Sequence, residues 1–343
     1  MSELLTITDF LTHYRSHRLL LIDSRSEGEF AKGHIPGATN IPLLNNEHRA
    51  IVGTTFKQMG RQDALIKGFE LVGPHFYEII LKAKAATTSP EIMLYCWRGG
   101  LRSNIMAWLL SMSGFKVHLL KGGYKTYRQW ALFQFELSRK LVILGGKTGS
   151  GKTEMLKFIE TKGEQTICLE SLAHHKGSAF GSLGQLPQPT QESFENELAF
   201  KLGEINPGKR TWLENESRNI GFVKIPDPLF EQMRNAVVVE MDVEKDIRKK
   251  RILSEYGEFS EEELVEKTQK LQKRMGGQYV KAAIEFLLNK DQSGWVELLL
   301  IYYDKTYSHS NEQRDMKKVN TVKIDWDHPE LDAERLIAQA DSL

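Results

Sequence analysis

The sequence predicts two consecutive α/β domains, each built around a parallel sheet, with a helical subdomain in the second. The length indicates two domains, because 343 residues exceed the roughly 150 that one domain usually holds. Short apolar runs alternate with segments of helical spacing, and such alternation is typical of parallel sheets. The alternation begins again after residue 138, so we place the domains at residues 1–135 and 139–343.

Each element of the first domain follows from its apolar pattern. Three short apolar runs predict strands at Arg18–Asp23, Ile92–Tyr95 and Lys116–Leu120. Recurrence of apolar residues every three or four positions predicts helices at Arg61–Ala86 and Arg102–Ser113. Gly114 then fits a left-handed helix cap. We expect Tyr127–Ser138, which is not rich in proline or glycine, to link the domains.

The second domain repeats the alternation and adds a long helical insertion. A helix is predicted at Gly151–Lys162, and the charged segment 244–308 reads as a helical subdomain or lid. The expected strands are Leu141–Leu144, Thr166–Leu169, Thr211–Glu214, Ala236–Met241 and Thr321–Ile324.

Composition excludes several classes of protein. A 41% hydrophobic share with 27% charged residues is ordinary for a globular chain and excludes disorder throughout. No apolar run approaches the roughly 18 residues of a membrane helix, and the N-terminus lacks a signal-peptide pattern. We therefore expect a cytoplasmic protein with no membrane partner. Two distant cysteines, Cys96 and Cys168, argue against a disulfide scaffold and a cysteine-based zinc site.

The segment after the predicted strand Leu141–Leu144 has the spacing of a phosphate-binding loop. Glycines let the backbone amides point at phosphate oxygens, the helix N-terminus adds partial positive charge, and Lys152 adds a full charge. Thr153 is a candidate Mg²⁺ ligand together with Glu214, for which Glu216 is the competing choice. No N-K-x-D guanine-reading motif accompanies the loop. The candidate phosphate-binding residues are Gly146, Lys147, Thr148, Gly149, Ser150, Gly151, Lys152, Thr153, Arg248 and Arg251.

Basic and aromatic residues in the helical segment have two interpretations each. The run Arg248–Arg251 either forms a phosphate lid or an RNA contact, or is a solvated helix face. Lys267, Lys270, Lys273 and Arg274 either meet RNA or complement a helix dipole. The aromatic residues that either stack on bases or fill a core are Trp295, Tyr302, Tyr303 and Tyr307.

A second constellation surrounds Cys96, which leaves a predicted strand on a glycine-bearing loop that opens a helix. Loop amides, the helix dipole and Arg98 or Arg102 should favour the thiolate, the nucleophilic form of cysteine. Cys96, Arg98 and Arg102 are therefore the candidate catalytic residues here, with Lys152 in the phosphate loop. Cys168 is expected to be an inert residue inside a core strand.

Several segments of both domains resemble the tRNA 2-selenouridine synthase family, a rhodanese domain fused to a phosphate-binding-loop domain. The order of the two domains is itself distinctive of that family. In the first domain the resembling segments are Leu21–Arg25, Glu29–Phe30, Gly33–Ala38, Asn40–Pro42, the loop of Cys96, and Leu119–Tyr124. In the second they are Leu169–Gly181, Gln188–Asn196 and Leu213–Arg218.

The resemblance implies a two-step reaction on the anticodon loop of tRNA. A geranyl group from geranyl diphosphate is added to the sulfur of wobble 2-thiouridine, and selenium from selenophosphate then replaces the S-geranyl group. Lys152 and the phosphate loop would hold the diphosphate, and Cys96 would carry the selenium as a perselenide. Magnesium is an expected ion, with no tightly bound cofactor and with a selenophosphate-supplying enzyme as partner. The resemblance also makes His174 and His175 site candidates, and Phe180–Leu186 a candidate wall of an apolar prenyl groove or a flexible lid.

The spacing between Cys96 and Arg102 departs from the usual rhodanese pattern and leaves other functions open. Five residues separate Cys96 from Arg102, whereas rhodaneses usually have four, and five is the spacing of cysteine phosphatases. A wider loop suits a phosphorus-bearing selenium donor. The alternatives are a small-molecule kinase fused to a sulfurtransferase or phosphatase-like domain, and a nucleotide-sensing regulator with an inert rhodanese fold.

Overall fold

The computed structural model describes residues 2–311 and 319–343, and within them the strands form two five-stranded sheets and one small hairpin. The chain divides into two units. The first comprises Met1–Gln134 and Glu195–Phe200, and the second comprises Phe135–Phe194 and Lys201–Leu343. Every pair of neighbouring strands in the two larger sheets is parallel. The predicted α/β fold class is therefore confirmed.

The sheet of the first unit has the strand order β1-β5-β4-β2-β3. Apolar residues fill its central strands because helices cover both faces of a parallel sheet. The register sets Asp23 opposite Tyr95, so the chain leaves β2 and β4 at the same edge. The strands are β1 (Glu3–Leu5), β2 (Leu20–Asp23), β3 (Thr39–Asn40), β4 (Glu91–Tyr95) and β5 (Lys116–Leu120).

Helices of the first unit cover this sheet, and two differ from the prediction. Arg61–Ala86 is not one helix, because Gly73 and Pro74 interrupt it with a short 3₁₀ turn. Most of the predicted linker is helical, within α7. The helices are α1 (Ile7–His17), α2 (Glu27–Lys32), α3 (Asn46–Met59), α4 (Arg61–Val72), α5 (Phe76–Ala86), α6 (Leu101–Met112) and α7 (Gly123–Glu136).

The sheet of the second unit has the order β12-β11-β6-β8-β7. Its central strand ends in the predicted phosphate loop, and β8 beside it ends at Glu214. The strands are β6 (Leu141–Gly146), β7 (Gln165–Ile167), β8 (Thr211–Glu214), β11 (Val237–Val243) and β12 (Val319–Ile324), while β9 (Asn219–Ile220) and β10 (Val223–Lys224) form the hairpin.

The segment 245–311 of the second unit is helical and has its own apolar core. Trp295 and Leu300 are almost fully buried in it, and Tyr303 packs against it. Glu195–Phe200 of α10 belong to the first unit, and the rest of that helix belongs to the second. The helices of the second unit are α8 (Lys152–Thr161), α9 (Leu169–Ala173), α10 (Gln191–Leu202, in part), α11 (Asp227–Asn235), α12 (Lys245–Tyr256), α13 (Glu261–Gln269), α14 (Gln272–Met275), α15 (Gly277–Leu288), α16 (Gln292–Asn311) and α17 (Pro329–Asp341).

One predicted strand and its cysteine need correction. Strand β7 ends at Ile167, and Cys168 is the N-cap of α9. Its sulfur accepts a hydrogen bond from the Ser171 hydroxyl at 2.9 Å. Cys168 is thus a half-buried capping residue, because the polar residues that follow begin a helix.

Helices among the described residues are all too short or too polar to cross a membrane.

Candidate functional sites

The Cys96 loop lies at the carboxyl edge of the first sheet, between β4 and α6. The Cys96 side chain is buried, and its thiol donates a hydrogen bond to the Ser103 hydroxyl, with sulfur and oxygen 3.2 Å apart. Ser103 in turn donates to the carbonyl of Gly100, at 3.0 Å. These two hydrogen bonds fix the sulfur at the N-terminus of helix α6. A buried sulfur at a helix N-terminus faces the partial positive charge of unpaired amides.

The backbone of the Cys96 loop is held by the first turn of α7. The amides of Tyr124 and Lys125 donate to the carbonyls of Cys96 and Trp97, at 2.8 and 3.0 Å. Gly123 packs so closely that a Cβ there would lie 2.3 Å from the Cys96 oxygen, and its φ is +61°. Only glycine meets both conditions.

The two arginines of the loop have different surroundings. Arg98 is exposed. Arg102 is paired with Glu29, its Nη1 and Nη2 lying 2.7 and 3.2 Å from the two carboxylate oxygens. Burial alone would raise the pKa of Glu29, but its contacts with Arg102 lower it below the ordinary value. Arg102 therefore anchors helix α6 to α2, and Arg98 is the loop arginine that faces solvent.

A buried ion pair lies beneath the same edge of the sheet. Asp23 ends β2 and accepts hydrogen bonds from Arg25, the shortest from Nη2 at 2.6 Å. Arg25 is 1% exposed, donates to the Gly33 carbonyl, and lies 3.7 Å from the ring centre of Tyr124. Because its guanidinium binds Asp23 and the Gly33 carbonyl and lies over the Tyr124 ring, Arg25 holds the β2–α2 loop and Tyr124 together.

The phosphate loop lies at the carboxyl end of β6 in the second unit. Gly149 and Gly151 have φ values of +80° and +83°, which allow the backbone to turn back on itself. The amide of Ser150 donates to the Lys147 carbonyl, and the Lys152 amine donates to the Gly146 carbonyl, both at 3.0 Å. The loop therefore has the curled shape in which amides can surround a phosphate.

Three glutamates surround Lys152. Burial alone would lower the pKa of the Lys152 amine, but Glu216, Glu170 and Glu214 outweigh burial and raise it. Burial and the neighbouring Glu170 raise the pKa of Glu214 to about 7. Glu216 is half-buried, and desolvation together with Glu170 raises its pKa well above the ordinary value. Lys152 is thus a charged amine with three carboxyl groups near it.

Glu170 joins these groups to the loop threonine. The Thr153 hydroxyl donates to Glu170 Oε2 at 2.6 Å, and the Glu170 amide donates to Glu214 Oε1 at 2.7 Å. The second oxygen of Glu214 is buried and has no hydrogen-bond partner. A buried carboxylate oxygen without a partner is costly, and it fits a site that takes a cation.

Comparison with known proteins decides which family contains these two sites. Residues 139–326 match the family model described as the tRNA 2-selenouridine synthase AAA domain, and residues 6–129 match the rhodanese-like domain. The first match covers more than half of the chain. The chain belongs to the tRNA 2-selenouridine synthase family.

Three curated relatives show how far the similarity extends, all described as tRNA 2-selenouridine synthase. The one from Sulfurovum sp. (strain NBC37-1) is 36% identical over 85% of this chain and 89% of its own length. The one from Shewanella piezotolerans is 35% identical over 90% and 92%. The one from Nitrosomonas europaea is 39% identical over 69% of this chain, and that alignment spans 63% of the relative, less than two thirds.

Within this family fold, the two predicted lid arginines have partners of their own. Arg248 is 3% exposed. It forms two hydrogen bonds with Asp304, at 2.7 and 2.8 Å, and donates to the Thr148 carbonyl at 3.2 Å. Arg251 pairs with Glu154 and lies 3.9 Å from the ring centre of Trp326. Arg248 thus supports the phosphate loop through its hydrogen bond to the Thr148 carbonyl. Arg251 lies beside the first turn of α8.

The candidate prenyl wall is largely core. Phe180 and Leu183 are buried in the apolar cluster of the helical segment, whereas Leu186 is 71% exposed. The side chains of Phe180 and Leu183 are therefore not free to line a groove or to move as a lid. Trp295 and Tyr303 belong to the same cluster, so for them the core interpretation is the right one.

The histidine pair after α9 divides into two environments. His174 caps the helix with a φ of +49°, and its Nδ1 lies 2.9 Å from the Pro187 carbonyl oxygen. His175 lies deeper, burial lowers its pKa, and its Nδ1 is buried without a hydrogen-bond partner. His174 therefore has a structural role, and His175 is the member that keeps an unused ring nitrogen.

The sequence prediction missed Glu170 and the contact of Tyr307 with the phosphate loop. Glu170 is the second residue of α9, a position that the wrong strand prediction Thr166–Leu169 concealed. The Tyr307 hydroxyl accepts a hydrogen bond from the Gly146 amide at 2.9 Å. Nothing local in the sequence signals this contact between residues 161 positions apart.

We expect Gly123→Ala to lower the melting temperature far more than Gly60→Ala. Both glycines have a positive φ, which costs a non-glycine residue about 1–2 kcal/mol, but a Cβ at Gly60 meets nothing within 4 Å. The difference therefore measures how tightly Gly123 packs on the Cys96 loop. Equal decreases in the melting temperature of the two variants would contradict that packing.

We expect Glu214→Gln to stabilise the metal-free protein increasingly as the pH rises. The folded-state pKa of Glu214, about 7, exceeds its ordinary value of 4.5. The folded protein therefore binds the proton more tightly, and stability is lost as the pH rises from 4.5 to 7. Denaturant unfolding in EDTA at pH 5 and pH 8 measures the free energy of unfolding of both proteins. The same difference in that free energy between variant and parent at both pH values would refute the prediction.

Proposed function

We propose that this protein is a tRNA 2-selenouridine synthase that first geranylates wobble 2-thiouridine and then exchanges the S-geranyl group for selenium. The observation that carries this proposal is that relatives of that name align with 85–90% of the chain, over both the Cys96 loop and the phosphate loop. The substrate is accordingly the anticodon loop of tRNA, and the reaction takes place in the cytoplasm.

The first step needs a site that stabilises a departing diphosphate. Transfer of the geranyl group forms a carbon–sulfur bond at the 2-thiouridine sulfur and breaks the carbon–oxygen bond to pyrophosphate. Negative charge grows on the pyrophosphate oxygen, and preorganised donors lower the free energy of that transition state. The amides of the loop from Gly146 to Thr153 and the charged amine of Lys152 are such donors.

A magnesium ion fits the carboxylate side of this loop. Its preferred ligands are oxygens, and the Thr153 hydroxyl, Glu170 and Glu214 provide them, including the unpartnered oxygen of Glu214. The ion would supply positive charge toward the diphosphate. It would also lower the pKa of Glu214, so that the carboxylate form becomes the stable one.

The second step needs a nucleophile that delivers selenium. Geranylation makes C2 of the base more electrophilic and turns its sulfur into a leaving thiolate. Selenium then forms its bond to C2 as the bond from C2 to the geranylated sulfur breaks. Cys96 carries the selenium taken from selenophosphate, whose phosphorus–selenium bond is broken by water with release of phosphate. Because this selenium is at the selenide level, Cys96 accepts it while in a mixed disulfide with a small thiol, which leaves as the sulfur–selenium bond forms. After selenium has bonded to C2, the same thiol cleaves the sulfur–selenium bond, which releases 2-selenouridine and restores the disulfide. A selenophosphate-producing enzyme is therefore the upstream partner. The exposed Arg98 is the cation placed to meet the phosphate portion of that donor.

We expect Cys96→Ser to abolish 2-selenouridine while S-geranyl-2-thiouridine still forms. A serine hydroxyl cannot form a bond to selenium as a thiolate does, whereas the geranylation site lies in the other unit. Mass spectrometry of nucleosides from tRNA treated with each purified variant measures both products.

Cys168→Ser is the matched control for this prediction. Its side chain caps α9, and serine is a good cap, so both products should form as in the parent. Parental 2-selenouridine synthesis by Cys96→Ser would show that Cys96 does not carry the selenium.

We expect geranyl diphosphate to protect the protein against thermal unfolding more than ATP does at equal concentration with Mg²⁺. Ligand binding to the folded state raises stability as RT ln(1 + [L]/Kd), so the order of the shifts reports the order of affinities. Lys152→Ala should erase the shift and slow geranylation about a hundred- to a thousandfold. Lys157→Ala, at an exposed position on the same helix, should do neither.

The kinase alternative makes the opposite prediction. A shift with ATP and none with geranyl diphosphate would indicate a small-molecule kinase in place of a prenyl-transferring site. The melting temperature of Lys152→Ala without ligand separates a folding defect from lost binding.

A further inference from the structure

Three side chains of the first unit bring ring nitrogens and a carboxylate together at a distance from Cys96. They are His13 on α1, Glu91 at the start of β4 and His118 in β5, and one ligand atom from each lies within 4.8 Å of the others. Glu91 Oε2 lies 2.8 Å from His118 Nε2 and 3.9 Å from His13 Nε2. Two imidazoles and one carboxylate form a typical ligand set for a zinc-like ion.

Two buried ring nitrogens of this cluster lack good hydrogen bonds. His118 is 1% exposed, yet its Nδ1 makes no well-aligned hydrogen bond. His13 Nε2 is also buried and has no partner within hydrogen-bonding distance. Since an unsatisfied buried polar group costs about 1–3 kcal/mol, two of them in one cluster need an explanation. A bound cation would satisfy His13 Nε2 directly.

We propose that His13, Glu91 and His118 bind a divalent transition-metal ion such as Zn²⁺. Ligand atoms about 2.0–2.1 Å from a tetrahedral ion are separated from one another by about 3.3 Å. The 2.8 Å and 3.9 Å separations lie on either side of that value. Shifts of well under 1 Å bring both to it, and one coordination position remains for water.

Glu3 completes the arrangement behind His118. Its Oε2 lies 3.1 Å from His118 Nδ1, on the side of the ring opposite the nitrogen that faces Glu91. A metal-bound histidine usually has a carboxylate or carbonyl at its other nitrogen, which fixes the tautomer and the ring orientation. The pair formed by His118 and Glu3 provides this second contact from strand β1.

A lysine lies beside the cluster and competes with a metal ion for Glu91. Lys116 is the competing cation, 3.3 Å from Glu91, but its side chain is 55% exposed and can turn into solvent.

The proposed ion is separate from the selenium chemistry. Glu91 begins β4 and Cys96 follows its last residue, so the two lie about 16 Å apart along the strand. The ligands come from α1, β4 and β5, and the ion would therefore connect three elements of the rhodanese unit. We infer a structural role for it, independent of whether the proposed tRNA reaction is correct.

Cobalt and zinc titrations of the full-length Cys96→Ser protein test this proposal. The serine variant removes the active-site thiol as a competing ligand. We expect one equivalent of Co²⁺ to give the visible spectrum of a tetrahedral site without sulfur-to-metal charge transfer, and one equivalent of Zn²⁺ to displace it. Further substitutions of this protein, His13→Ala and Glu91→Gln, should each weaken Zn²⁺ binding at least tenfold.

Two more variants sharpen the result. His75→Ala is the matched control, because His75 also has a carboxylate nearby, Glu78 at 3.4 Å, but is exposed; it should bind Zn²⁺ like the parent. Lys116→Gln removes the competing cation and should tighten binding. Circular dichroism in EDTA confirms that each variant is folded. Equal Zn²⁺ affinity in the parent, His13→Ala and Glu91→Gln, or no tetrahedral spectrum in the parent, would overturn the proposal.

Discussion

Parallel strand pairing brings the chemistry of this chain to two sheet edges. Since all strands of a parallel sheet point the same way, the loops that follow them gather at the carboxyl end. The Cys96 loop follows β4 there, beside the pair formed by Asp23 at the end of β2 and Arg25 just after it. In the second unit the phosphate loop follows β6, and Glu214 ends the neighbouring β8. Residues far apart in sequence meet at each edge for this one reason.

The two edges differ in how they handle charge. In the rhodanese unit, Arg25 and Arg102 are each paired with a carboxylate, so these cations support the Cys96 loop and leave Arg98 facing solvent. In the second unit, three glutamates surround the single amine of Lys152. Burial and Glu170 raise the pKa of Glu214, so ionisation of this carboxyl group destabilises the site as the pH rises. The first edge therefore presents a buried cysteine, and the second a charged amine beside several carboxyl groups.

Local sequence patterns predicted the elements better than the contacts between them. Strands β5 and β8 have the predicted bounds, because each is a short apolar run between clear breaks. The pattern failed where a polar side chain decides the structure, as at Cys168, whose capping of α9 ended the predicted strand early. Sequence spacing also indicated the phosphate loop and the Cys96 loop. It could not indicate that Arg248 pairs with Asp304 or that Tyr307 supports Gly146, since tertiary packing alone creates these contacts.

The most direct test of the account is the nucleoside content of tRNA from cells that contain or lack this protein. Mass spectrometry of wobble nucleosides, with selenium supplied to both cultures, measures 2-thiouridine and 2-selenouridine in one experiment. We expect 2-selenouridine to disappear without the protein, 2-thiouridine to rise in its place, and the gene to restore the original pattern. Unchanged 2-selenouridine in cells that lack this protein and have no second copy of its family would contradict the assignment.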